Sequence, residues 1–204
     1  MITEDDIQRP RSPRGLRQFV TRRKEKIKSF ETERHNAIRR RGIYNVFIKE
    51  IVPLSVFALK AYQNSYSVQP VLGNQGYDAI VKDNEGNIID FVELTFPDDW
   101  KAKAKDAELV VSRGYGKTKV FKPGGDIDRL TSFIQDICFK KAQKDYSDCT
   151  LVIVIEFLPV SKQHRDLYSR KIQELVTNVQ AVSFRAKRIF LLLLEQHKII
   201  RIKE

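Results

Sequence analysis

Two cysteines in 204 residues, Cys138 and Cys149, are too few for a disulfide framework and do not form a CxxC pair. Histidine is as sparse, and His35, His164 and His197 are too scattered for zinc-ligand spacing. Long apolar runs are missing as well. Ile189 to Leu194 is the longest at six residues, against the roughly 20 that span a bilayer. The N-terminus runs Thr3-Glu4-Asp5-Asp6 where a signal peptide would carry an apolar segment. These absences point to a cytoplasmic protein with no membrane partner. A phosphate-cradling loop is excluded too: Gly116-Lys117-Thr118 would need its first glycine at position 111, which is Val111. No internal repeat shows.

What is present suits one α/β domain with a good core, since 42% of the residues are apolar. The charge is uneven. Residues 9–41 hold thirteen Arg and Lys against three Glu, while residues 42–204 carry only +4 of the total +11. This divides the chain into a basic N-terminal arm and helix, 1–41, and a single α/β domain, 42–204. Residues 1–15, with two prolines and no periodicity, read as unstructured. Clusters such as Arg22-Arg23-Lys24 and Arg39-Arg40-Arg41 attract phosphate backbones by releasing counterions. Lys117 and Lys119, in a Gly- and Lys-rich loop, would add to that grip. The expected partner is nucleic acid, DNA first. The plainer alternatives are a solvated tail or a patch for an acidic protein or anionic lipid. A homo-oligomer is left open.

Apolar spacing predicts a helix from Leu16 to about Arg41, ended by Gly42. A second helix runs from about Asn45 to Tyr62, with Pro53 kinking or breaking it near Val52. Pro97 to Trp100 looks like a helix start. Asp126 caps an amphipathic helix through Ile127, Leu130, Ile134 and Cys138. Leu151 to Ile155 reads as a strand buried on both faces, and a helix follows over about Ser161–Val179. Ile189 to Leu194 is a second buried strand, with Lys198 to Ile202 as an edge strand. The order of elements predicts a mixed central sheet flanked by helices.

The most informative stretch lies between these helices. Gly76 to Val81 and Ile88 to Thr95 read as two strands joined by Asp83-Asn84-Glu85-Gly86-Asn87, residues that tolerate left-handed backbone angles. Such a hairpin brings Asp78 and Glu93 together, and two convergent carboxylates suit a hard divalent cation. Glu93 also sits among Phe91, Val92 and Leu94, where a carboxylate usually has a partner or a job. The plain alternative is two surface acids on a half-buried sheet.

The pattern resembles the core of the PD-(D/E)XK nuclease superfamily, the restriction-endonuclease-like fold. Tyr77 stands at the place of the motif's Pro and Thr95 at that of its Lys. The resemblance implies phosphodiester hydrolysis with Mg²⁺ or Mn²⁺ held by Asp78 and Glu93. It also implies a helix before the first strand that often carries a further acid, for which Glu50 is the natural candidate. Thr95 has a hydroxyl that can hold a water but no positive charge, so Lys82, Lys101 or Lys103 would have to replace the motif Lys. A noncatalytic nucleic-acid-binding protein on the same fold is the alternative.

Overall fold

The computed structural model describes residues 1–97, 108–113, 123–157 and 161–203. The fold is α/β, with six strands of mixed direction and helices packed against them, in agreement with the element order in the sequence. Two compact units share the chain. The first comprises Met1–Leu94 with the described part of 99–118, and the second Thr95–Asp98 with the described part of Lys119–Glu204.

The first unit begins with α1 (Glu4–Gln8), α2 (Pro13–Ser29) and α3 (Glu31–Ile38). Residues 1–15 are therefore structured, contrary to the reading of an irregular tail. Ile2, Ile7 and Pro13 are buried, and Arg11 exchanges backbone hydrogen bonds with Val68 at 3.0 and 2.8 Å. Isolated apolar residues, each with a distant partner, leave no periodic trace in the sequence. The Ser12 hydroxyl accepts from the Gly15 N–H, and Pro13 occupies the first turn, where its missing N–H costs nothing. The long helix expected to Arg41 breaks at Phe30, whose backbone is extended.

Gly42, at φ +50°, adopts a conformation that an L side chain rarely takes, and it opens α4 (Ile43–Val46). The chain then winds through a π-helical turn, Phe47–Ile51, into α5 (Val52–Ala61). Pro53 accounts for the break. It has no N–H, and its ring would crowd the carbonyl four residues back in a regular helix. Here the Val52 N–H instead bonds Phe47 O, five residues away.

Three antiparallel strands follow: β1 (Ser67–Pro70), β2 (Ala79–Lys82) and β3 (Ile88–Thr95). The β2–β3 turn is built as its residues suggest. The Asp83 carboxylate accepts from the backbone N–H groups of Glu85 and Asn87, each at 2.9 Å, and Gly86 takes φ +88°. One sheet face, carrying Val68, Ala79, Val81 and Val92, is fully buried. α2 packs on α5 and β1, and Leu16, Val20, Leu54 and Phe57 are buried with them.

In the second unit, α7 (Pro123–Ala142) precedes β4 (Asp145–Ile155), α8 (Lys162–Gln180), β5 (Arg185–Leu193) and β6 (Lys198–Lys203). β4 and β5 are parallel, which requires a crossover such as α8, and β6 returns antiparallel to β5. Leu151 to Ile155 are all buried, as an unbroken apolar strand should be. Residues 108–113 form a short helix, α6, belonging to the first unit. The expected helix start at Pro97–Trp100 falls mostly outside the described residues. Cys138 and Cys149 are buried free thiols. Among the described residues no single helix is long and apolar enough to cross a membrane.

Candidate metal centre

The β2–β3 register pairs Ala79 with Val92 at the start of β2, and Asp78 immediately precedes that pair. The Asp78 N–H donates to Val92 O at 2.8 Å although Val92 pairs with Ala79, so the ladder is irregular at this end. Both side chains are half-buried on the face turned away from Ala79, Val81 and Val92. One Asp78 oxygen accepts from the Leu94 N–H at 2.7 Å, which fixes the carboxylate across the strand pair.

Glu50 joins them from the π-helical turn. Its carboxyl is raised from 4.5 to about 7, first by burial and then by the negative charges of Asp78 and Glu93, with Lys49 opposing the rise. Three carboxylates from a helix and two strands therefore feel one another's charge. Lys49 is absent from the lysines that the sequence pattern alone places near the site. Its adjacency to Glu50 in the chain is the signal that could have found it.

No family model, curated protein or solved structure matches the chain. What the site can hold rests on its own chemistry. The donors are hard carboxylate oxygens, suited to Mg²⁺ or Mn²⁺ and ill suited to soft metals. Among the described residues no three acidic, histidine or cysteine side chains are gathered tightly enough to ligate one ion. The two observations differ in range: charge is felt over several ångströms, whereas ligands must touch the ion. Like charges favour a splayed arrangement unless a cation lies between them. The chemistry of these donors suits a hard divalent cation, while the positions they take in this structure do not close around one.

The other site residues are distributed as follows. Thr95 is the last residue of β3 and is buried, with 8% exposure. Tyr77, at the motif's Pro position, packs its ring 4.6 Å from that of Phe91. Lys82 pairs with Ile88 at the turn end of the hairpin, roughly 13 Å along the strand from Asp78. Lys101, Lys103, Lys117 and Lys119 lie outside the described residues.

The basic clusters divide. Arg22 and Lys24 are exposed on α2, while Arg23 is tied to Asp6 at 2.6 Å. Arg39 and Arg41 approach Glu108 at 3.7 and 4.0 Å, and Arg40 lies between them with φ +50°. Sequence reading passes over Lys26, which with Arg11 and Phe19 lines a groove beside Arg22. The signal is there in the four-residue spacing of Gln18, Arg22 and Lys26 along one helix face.

Proposed function

We propose that the protein is a metal-dependent nuclease of the PD-(D/E)XK type, hydrolysing phosphodiester bonds in nucleic acid, DNA foremost, in the cytoplasm. The observation that carries this reading is the convergence of Glu50, Asp78 and Glu93, strong enough to push the Glu50 carboxyl to about 7. A half-buried cluster of acids costs stability by itself, and such perturbed groups gather at functional sites. Asp78 and Glu93 would hold Mg²⁺ or Mn²⁺ with Glu50 beside them. When bound, the ion polarises the scissile phosphate and acidifies a bound water. The Asp78 carboxylate accepts from the Leu94 N–H, beside Glu93 on β3, and Glu50 comes from the π-helical turn. Lys49 supplies positive charge next to Glu50, which Thr95 cannot.

The second reading, a noncatalytic nucleic-acid-binding protein, is favoured by Thr95. It stands where the motif Lys would be, and it is buried. A cleavage assay on mixed DNA and RNA, with Mg²⁺ or Mn²⁺ against EDTA, tests the first. Wild type should cleave and Asp78→Ala should not. Binding without cleavage in any divalent cation would establish the second reading.

A further inference from the structure

A groove of about 430 Å³ runs along α2, lined chiefly by Arg11, Gln18, Phe19, Arg22, Arg23 and Lys26. Four of these side chains are cationic and none is acidic. One wall is fixed before anything binds. Arg11 is held by its backbone to Val68, and its guanidinium donates to Arg9 O at 2.8 Å and Asp6 O at 2.6 Å. The same guanidinium lies 4.0 Å from the centroid of the Phe19 ring, which Phe47 meets edge-on at 6.3 Å. Arg23 is anchored by Asp6 and sits 5.7 Å from that ring.

The other wall is a row. Gln18, Arg22 and Lys26 are four residues apart and exposed, so their side chains succeed one another about 6 Å apart along the helix. Among the described residues neither Arg22 nor Lys26 pairs with a carboxylate. Arg11 meanwhile is a cation held against burial and the like charges of Arg9 and Arg23, with Asp6 the offsetting acid. An anion in the groove relieves that repulsion.

We propose that this groove binds the sugar-phosphate backbone of a nucleic-acid strand, with Arg11 as its fixed contact and Arg22 and Lys26 taking successive phosphates. A row of cations fits a ligand of repeated charge better than a single small anion. A concave lining with a half-buried aromatic offers a membrane surface nothing to insert. The proposal rests on the nucleic-acid part of the function above and not on cleavage.

The test is binding of labelled single- and double-stranded DNA to the full chain in EDTA, across a salt series. Arg22→Glu/Lys26→Glu is compared with Lys162→Glu/Arg165→Glu, an equal charge change at exposed positions on α8. The groove variant should bind at least about tenfold more weakly. Its salt slope should fall by about 2, one for each phosphate that the protein no longer neutralises. The α8 variant should keep the wild-type slope, and a thermal melt should show all variants folded. Equal losses in the groove and α8 variants would overturn the proposal, since net charge alone would explain them. Unchanged DNA binding in the groove variant would overturn it too. So would loss of binding to anionic phospholipid vesicles without loss of DNA binding. Absence of cleavage in every protein once Mg²⁺ or Mn²⁺ replaces EDTA would count against the nuclease reading while leaving this result to stand by itself.

Discussion

Asp90 and Glu93 lie three residues apart on β3 and point to opposite faces of the same sheet, and the protein surrounds them differently. Asp90 is 2% exposed, on the face with Val81 and Val92, and the Tyr62 hydroxyl donates to it at 2.5 Å. Tyr62 is itself placed by the end of α5, where its N–H bonds Ala58 O and its ring meets Phe57 at 5.8 Å. The Tyr62 hydroxyl is the donor that meets one oxygen of this buried carboxylate. Glu93 is half-buried near a second acid, with a third near enough to be pushed toward neutrality. The same residue class on one strand thus serves the core on one face and gathers negative charge on the other. Burial alone does not mark a functional acid; the company of like charge does.

The largest test of this contrast is chemical. Asp78→Ala or Glu93→Ala should lower Mg²⁺-dependent cleavage by about 10³-fold or more, several kcal/mol of transition-state stabilisation. Stability to urea should hold or improve as repulsion falls. A large loss of stability in either variant would place these acids with Asp90 as structural.

Next comes Lys49. Replacing it with Ala should cut turnover by about 10²-fold while leaving nucleic-acid affinity nearly unchanged, as for a group that acts mainly in the transition state. Parallel losses in turnover and affinity would make it a binding residue.

On the other face, Asp90→Ala should cost about 2–3 kcal/mol in a urea titration, since the Tyr62 hydroxyl loses a charged partner. Cleavage per folded molecule should be unaffected.

The smallest effect is a pH dependence. Glu50 keeps its proton in the folded chain up to about pH 7, whereas the unfolded chain releases it near 4.5. The folded state thus holds the extra proton between those values, so stability falls as pH rises through that window and levels off above it. After allowance for solvent screening at this partly open site, the fall is on the order of 1–2 kcal/mol. Glu50→Gln should flatten it, as should saturating Mg²⁺ in the wild type. Urea titrations at pH 5, 6, 7 and 8 would show both.

Several of these features are legible in the sequence. The hairpin can be read because its turn is local: Asp83, Gly86 and Asn87 announce it, whereas the register shift between Val81 and Lys82 leaves no trace in the sequence and changes which residue of β3 each residue of β2 faces. The period of two also sets Asp90 apart, since it falls in step with Val92 and Leu94 rather than with Glu93. β1 is not legible, because four residues, Ser-Val-Gln-Pro, carry too little pattern and gain their strand character from distant partners. Nor is the break at Phe30, where the helical stripe of charge continues across the junction. The ordering of residues 1–15 depends on Val68, more than fifty residues away, and it changes what can be tested. Deleting 1–41 would remove Ile7, Leu16 and Val20 from the core, so charge reversal, not truncation, is the way to probe the basic region.

The π-helical turn at Phe47–Ile51 has a consequence for chain length. It holds one residue more than an α-helical turn needs, and each helical residue turns the chain by about 100°. Removing one residue from this turn would tighten it against the Pro53 ring, and one side would rotate by about that angle relative to the other. Either Phe47 would leave its buried position or Glu50 would swing away from Asp78 and Glu93. The segment is therefore intolerant of deletion, because the extra residue keeps a core face and an acidic face in phase on one rod.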